Sequence, residues 1–83
     1  MSEMSRLRWL CRRGMKELDV VLSGYLEQNY RQAPIEEQNL FRQILEMPDP
    51  DLYSLIIGRT ESDDPQIQKF IEMLRGLKKG TSQ

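Results

Sequence analysis

The chain has no histidine and only one cysteine, Cys11, among its 83 residues. Histidine and cysteine are the usual ligands of structural zinc, and most activated nucleophiles depend on them. The sequence therefore lacks the residues for a structural zinc site and for histidine-dependent nucleophilic catalysis. A single cysteine cannot form a disulfide within the chain, which favours a reducing compartment. No glycine-rich loop has the spacing of a dinucleotide site or a P-loop. We therefore expect a protein that is not an enzyme and holds no metal or cofactor by itself.

Long apolar runs are also missing from the sequence. No stretch approaches the length of a signal-peptide core or a membrane span, so we predict a cytoplasmic protein without membrane insertion. Its 39% hydrophobic and 30% charged residues suit one small folded domain. We expect an ordered core over about residues 5–78, flexible polar ends, and a monomer in the free state.

The net charge of −1 is the sum of basic and acidic segments that are separated along the chain. Residues 1–17 and 65–83 each carry +3, whereas residues 27–64 carry −6. The basic N-terminus raises nucleic-acid binding as an alternative, but its positive groups alternate with apolar positions and the whole chain is slightly acidic. The pattern favours a shaped, partly charged protein partner, and we do not expect nucleic acid as a ligand. The alternative function is a small regulatory protein that binds nucleic acid or a toxin-like partner.

Apolar residues recur at spacings of three and four, which predicts an all-α domain of five helices. The predicted helices cover residues 4–13, 15–30, 34–46, 49–58 and 64–80. Gly14 separates the first two, although one helix bent at this glycine fits the same spacing. Asp49 and Asp64 each precede a proline and are predicted N-caps, while Gly58 and Gly80 are predicted helix ends. No segment alternates with period two for long enough to predict a strand.

The segment RRGMKELD, residues 12–19, contains a glycine that helix propensity does not explain. Glycine inside a helix costs about 1 kcal/mol relative to alanine. A pair between Arg13 and Glu17 would contribute only about 0.3–0.5 kcal/mol at the surface. In one interpretation Gly14 is a helix C-cap and Glu17 complements the next helix dipole. In the other interpretation, Gly14 leaves the backbone accessible, so that a partner chain can approach it closely. The charged groups of Arg12, Arg13, Glu17 and Asp19 then lie around this docking surface. The two interpretations are compatible.

Trp9 lies out of phase with the apolar positions Leu7 and Leu10. It is one turn before Arg13, so it could stack on that guanidinium, serve as an exposed aromatic anchor, or lie at the edge of the core. Cys11 shares the apolar phase, and no histidine is present to activate it. We predict a buried, inert thiol at this position.

Two stretches of the sequence carry a resemblance to a known family. WLCRRGMKELD, residues 9–19, and LEMPDPDLYSLI, residues 45–56, resemble the signature segments of the succinate dehydrogenase flavin-assembly factors. This is the SdhE family, also known in bacteria as antitoxin CptB. The resemblance covers about residues 5–75, and its centre is the RGxxE motif, which here reads Arg13-Gly14-Met15-Lys16-Glu17.

The resemblance implies a five-helix domain that binds the flavoprotein subunit of succinate dehydrogenase, or of fumarate reductase in some bacteria. The domain would promote covalent attachment of FAD, a cofactor that belongs to this client together with the attachment histidine. The implied protein-binding residues are Arg13, Gly14 and Glu17, together with their neighbours Arg12, Asp19 and Trp9. One departure is Leu55, where family members often have an aromatic residue. A leucine keeps the core position but could alter a contact.

Overall fold

Five α-helices form the fold, in a computed structural model that describes residues 2–81 and the side chains through residue 76. The helices are α1 (Glu3–Cys11), α2 (Lys16–Gln28), α3 (Ile35–Ile44), α4 (Asp49–Ile56) and α5 (Pro65–Thr81). A 3₁₀ turn, Tyr30–Gln32, lies between α2 and α3. Residues 2–81 contain no strand, so the all-α prediction is confirmed.

Aromatic rings from three helices meet in the core. Tyr25 of α2 lies 4.7 Å from Phe41 of α3 and 5.3 Å from Phe70 of α5, measured between ring centroids. The contact with Phe70 is edge-to-face, a geometry in which the positive edge of one ring meets the negative face of the other. Aliphatic side chains from all five helices complete the core, and they include Leu7, Leu22, Ile44, Leu52 and Ile71.

The two buried tyrosines keep their hydroxyl groups hydrogen-bonded. Tyr25 donates to Glu37 Oε2 at 2.6 Å, and Tyr30 donates to Glu3 Oε2 at 3.0 Å. Burial raises the pKa of both phenols, and the accepting carboxylates raise the pKa further. Both hydroxyls therefore stay protonated at neutral pH, where they tie α2 to α3 and the 3₁₀ turn to α1.

Several helix ends differ from the predicted ones. Helix α1 ends at Cys11 because Arg12 adopts extended backbone angles, φ −89° and ψ 104°. Helix α2 ends at Gln28, and the backbone tightens into the separate 3₁₀ turn before Pro34. The prediction that the last helix ends at Gly80 is wrong, since α5 continues to Thr81. A glycine lowers helix propensity by only about 1 kcal/mol, which a helix can absorb.

The two predicted aspartate caps have different outcomes. Asp64 caps α5 as predicted, because its Oδ1 accepts from the Gln66 N–H at 2.9 Å. The prediction for Asp49 is wrong: Pro48 occupies the cap position of α4, and Asp49 is the first helical residue. The Asp49 carboxylate instead accepts from Arg13 Nη1 at 2.9 Å. A charged donor from another segment thus takes the oxygen that a helix cap would use.

Gly58 ends α4 in the way the sequence predicts. Its φ is +83°, in the left-handed region that favours glycine. The Gly58 N–H donates to the Leu55 carbonyl at 3.1 Å, and the Arg59 N–H donates to the Ser54 carbonyl at 2.9 Å. This pair of bonds is a Schellman motif. Leu55 itself is buried, so the leucine keeps the core position expected for it.

Candidate docking site at the first helix link

The link between α1 and α2 comprises residues 12–15. The Arg12 N–H donates to the Trp9 carbonyl at 3.1 Å and closes α1. Gly14 has φ +82°, and a Cβ built there would meet no atom within 4 Å. The link therefore separates two helices, as predicted, at a left-handed glycine. However, Gly14 lies two residues beyond Arg12, so it turns the link backbone and does not occupy the usual position of a capping glycine.

Asp19 holds this link against the start of α2. Its Oδ1 accepts from the Arg13 N–H at 2.7 Å, six residues earlier in the chain. Asp19 also lies in the first turn of α2, where a negative charge complements the positive end of the helix dipole. The carboxylate therefore satisfies a link N–H and favours the helix start at the same time.

The Arg13 side chain reaches across the molecule to the segment between α3 and α4. Its Nε donates to the Leu10 carbonyl at 3.0 Å, and its Nη1 donates to the Met47 carbonyl at 2.7 Å and to Asp49. Its Nη2 donates to the Leu45 carbonyl. The side chain is only 11% exposed. The guanidinium thus joins the end of α1 to the corner between α3 and α4.

The six predicted site residues lie together around the link, but they differ in how exposed they are. Four are exposed: Trp9, Arg12, Gly14 and Glu17. Arg13 and Asp19 are partly buried behind them. Trp9 is 71% exposed, so its placement at the core edge is wrong and its placement on the surface is confirmed. The Arg13 guanidinium is directed at backbone carbonyls, and a client contact by Arg13 stays a prediction.

Sequence reasoning missed Asp49 as a member of this site. The residue was predicted to act only as a helix cap, yet it forms the ion pair with Arg13 across 36 positions of sequence. One signal could have found it. Both stretches of the family resemblance, residues 9–19 and 45–56, contain a member of this pair. In the structure these two stretches are in contact through this pair.

Cys11 is completely buried, two residues before Arg13. Burial raises the pKa of its thiol from 9.0 to about 11, while the positive charge of Arg13 acts in the opposite direction. Desolvation prevails because it disfavours the thiolate more than the partly buried guanidinium stabilises it. The thiol is therefore neutral at pH 7 and shielded, as predicted.

The basic N-terminal segment is partly neutralised by the chain itself. Arg8 of α1 forms an ion pair with Glu27 of α2, with 2.6 Å between Nε and Oε2. This hydrogen bond raises the pKa of Arg8 and lowers that of Glu27. Together with the Arg13–Asp49 pair, it engages two of the five basic side chains in residues 1–17. Fewer cations in this segment are thus available for an outside polyanion.

Other possible sites were searched over the described part of the chain. Among residues 2–76, no group of three or more histidine, cysteine, aspartate or glutamate side chains could hold a metal ion. Within the described helices, none has the length and apolar content needed to cross a membrane. One open groove lies between α3 and α5, over Leu40, Phe70 and Met73, and another lies between α1 and α3. Neither of these two grooves is lined by the six site residues.

Comparisons with known proteins agree on one family. Residues 5–78 match the family described as "Flavinator of succinate dehydrogenase". The "FAD assembly factor SdhE" of Methylococcus capsulatus is 39% identical over 77 residues, which is 93% of each chain. That of Coxiella burnetii is 36% identical over 72 residues, 87% of this chain and 88% of the relative. That of Vibrio vulnificus is 42% identical over 62 residues, 75% of this chain and 72% of the relative.

Proposed function

Because the chain belongs to the family of flavinators of succinate dehydrogenase, we propose that it is an assembly factor for a dehydrogenase flavoprotein. It would bind the flavoprotein subunit of succinate dehydrogenase, or of fumarate reductase, and promote covalent attachment of FAD to that subunit. The observation that carries this proposal is the family match over residues 5–78, which includes both signature stretches. FAD and the attachment histidine would belong to the client, since this chain has no histidine.

A protein that supplies no reacting group can still promote a reaction in its client. It does so by binding the reactive conformation of the client more tightly than the others, which raises the population of that conformation. For flavin attachment, the reactive conformation is one in which the client histidine lies within reach of the bound flavin. The proposed role therefore requires a docking surface and no catalytic residue in this chain.

We propose that this docking surface is the exposed part of the first link, made of Trp9, Arg12, Gly14 and Glu17. An exposed tryptophan offers a large, rigid area for contact with a partner. Gly14 has open space where a side chain would begin, so a partner backbone can approach closely. The charged groups of Arg12 and Glu17 can form directional, charge-assisted hydrogen bonds that fix the orientation of the client.

The alternative of nucleic-acid binding has less support. Arg8 and Arg13 are bonded to carboxylates of the chain itself, which weakens the basic patch that a phosphate backbone would need. A protein client also explains why an exposed tryptophan lies beside groups of both signs. We propose further that the protein works in the cytoplasm and that the free form is a monomer.

The central experiment compares Glu17→Ala with Glu61→Ala. Both glutamates are exposed, but Glu61 lies in the segment between α4 and α5, outside the RGxxE motif and the first link. Each variant is melted and then titrated with purified apo-flavoprotein, and the rate of FAD attachment is measured. Glu17→Ala is expected to keep its melting temperature and to weaken client binding by about 1–3 kcal/mol, through loss of a charge-assisted contact. Glu61→Ala is expected to match the wild type in both measurements.

Two results would contradict this function or its site. Normal flavin attachment with a folded Glu17→Ala protein would mean that the link is a structural hinge and that docking occurs elsewhere. A pull-down from lysate tests the function itself. Recovery of nucleic acid that is lost steeply with added salt, without a dehydrogenase flavoprotein, would support the regulatory alternative.

A further inference from the structure

The Arg13 guanidinium is the most buried charged group of the RGxxE motif, and it makes four hydrogen bonds within the chain. Its exposed fraction is 11%, although Arg12 and Gly14 on either side are exposed. The side chain donates to three backbone carbonyls and one carboxylate. The three carbonyls belong to Leu10, Leu45 and Met47. A planar guanidinium has five N–H donors in a fixed fork, so it can serve several acceptors that a lysine could not.

The backbone of the same residue is also held. The Arg13 N–H donates to Asp19 Oδ1 at 2.7 Å. Asp19 lies on α2 two residues after Glu17, so one residue connects the link to the helix that presents Glu17. Arg13 is therefore bonded in two directions, through its side chain to the α3–α4 corner and through its backbone to α2.

We infer that Arg13 is a positioning residue for the docking surface and does not itself contact the client. It fixes residues 12–15 between α2 and the α3–α4 corner, and this holds Arg12, Gly14 and Glu17 in one arrangement. The inference rests on the proposed function, because the arrangement matters only if a client binds there. It assigns Asp49 and Asp19 to the same supporting role, since each accepts a hydrogen bond from Arg13.

Four of the five guanidinium N–H donors of Arg13 are bonded within the chain, so a client contact by more than the one remaining N–H would require the guanidinium to abandon these bonds. Leaving them would strand the carbonyls of Leu45 and Met47 near the buried end of α3 and remove the partner of Asp49. Unpaired polar groups at a partly buried site are costly, so the client would have to replace every lost bond. The fixed arrangement needs no such exchange, because a preorganised surface binds without first being reordered.

A matched control exists elsewhere in the chain. Arg75 of α5 donates to the carbonyls of Leu55 and Ile56 at the end of α4, so it performs similar backbone bonding. It is far from the RGxxE motif in sequence and bonds to a different helix end. Arg13→Gln and Arg75→Gln therefore remove similar groups from two corners, and only the first corner is connected to the proposed docking surface.

The first measurement needs no client. Amide hydrogen exchange is followed in the full chain, at a temperature where both variants are folded. Arg13→Gln is expected to speed exchange at position 13 and its link neighbours by at least about tenfold, because the link loses its support. Arg75→Gln is expected to leave these amides unchanged. Link amides that exchange at the wild-type rate in Arg13→Gln would overturn the inference.

The second measurement is a double-mutant cycle for affinity to apo-flavoprotein. Alone, Glu17→Ala is expected to weaken binding by about 5- to 150-fold. In the Arg13→Gln background the same change is expected to cost less than about threefold, because the loosened link no longer presents Arg12 and Gly14 beside Glu17 in the arrangement that the client binds. Arg13→Lys is expected to restore little binding, since an ammonium cannot serve all four acceptors. Asp49→Asn is expected to reproduce part of the Arg13→Gln defect.

The outcomes separate this inference from the proposed function. Independent, additive effects of Arg13→Gln and Glu17→Ala, or full rescue by Arg13→Lys, would show that the Arg13 charge meets the client directly and would overturn the positioning role alone. Wild-type affinity in Glu17→Ala would overturn the proposed docking surface, and the role of Arg13 in it would fall with that surface.

Discussion

In two corners of this molecule an arginine side chain donates hydrogen bonds to backbone carbonyls, but the two arginines have different roles. In the Arg13 corner, formed by Arg13, Leu45, Met47 and Asp49, an arginine binds the carbonyl of the α3 cap residue Leu45 and that of Met47 just beyond it. In the Arg75 corner, formed by Arg75, Leu55, Ile56 and Gly58, an arginine binds carbonyls where α4 ends. The last carbonyls of a helix have no partner within that helix, so a cation from another segment satisfies them and complements the negative end of the dipole.

The corners differ in where the arginine comes from. Arg75 projects from α5, a helix that is already packed in the core through Phe70, Ile71 and Leu74. Arg13 projects from a four-residue link whose other charged side chain, Arg12, is exposed. The Arg75 bonds therefore add to a position that packing has already determined. The Arg13 bonds determine the position of the link itself, and this is why a client surface can depend on them.

The largest expected effect is the loss of stability on removing each arginine. Arg13→Ala should lower the free energy of unfolding by about 2–3 kcal/mol, because it leaves three partly buried carbonyls and Asp49 without their charged donor. Arg75→Ala should lower it by about 1–2 kcal/mol, because its acceptors are carbonyls alone. Urea denaturation of both variants measures the difference. Equal losses of stability, or a larger loss for Arg75→Ala, would contradict the greater structural role assigned to Arg13.

A pH titration sharpens the comparison, because Cys11 is buried beside the Arg13 corner. The pKa of its thiol is raised from 9.0 to about 11 in the folded state. The stabilisation from the neutral buried thiol is therefore present below pH 9 and is lost as the pH rises towards 11, because the unfolded chain ionises first. Relative to Cys11→Ala, the wild type should lose about 1.4 kcal/mol of stability by pH 10.

Denaturant melts of both proteins between pH 7 and 10.5 measure this difference. The tyrosines titrate in both proteins, so their contribution cancels in the comparison. Parallel stability profiles would mean that the thiol is more accessible to water than its position in the core indicates.

The smallest expected effect concerns the two left-handed glycines, Gly14 in the first link and Gly58 in the Arg75 corner. Gly14 has φ +82° and Gly58 has φ +83°. A Cβ at Gly14 would meet nothing within 4 Å, and one at Gly58 would lie 3.7 Å from the Arg75 guanidinium carbon, an ordinary contact. Gly14→Ala and Gly58→Ala should therefore each cost about 1 kcal/mol, from backbone strain alone.

Thermal melts and client titrations of both glycine variants test this symmetry. Client affinity should fall only for Gly14→Ala, and Gly14→Arg should weaken it further by holding the partner backbone away. A client defect in Gly58→Ala that matches the one in Gly14→Ala would mean that docking depends on stability and not on the link.

Local rules were enough to predict the five helices and to place their ends within about two residues. The spacing of apolar residues, the Asp64-Pro65 cap and the left-handed Gly58 are interactions among near neighbours in the chain, so they can be read from the sequence. The same holds for Gly14 as the break between the first two helices. The rules failed at Asp49, which does not cap α4, and they ended α5 at Gly80, one residue before Thr81.

The sequence by itself thus determined an all-α fold, a buried thiol at Cys11 and a set of motif residues gathered at one link. Only the tertiary structure decided how those motif residues divide into an exposed group and a supporting group. Arg13 and Asp49 are 36 positions apart, and whether they meet depends on where packing places the end of α3 relative to the end of α1. Once they meet, the carboxylate that could cap its own helix serves the arginine instead. Spacing along the chain contains no information about that choice, because the competing partner comes from elsewhere in space.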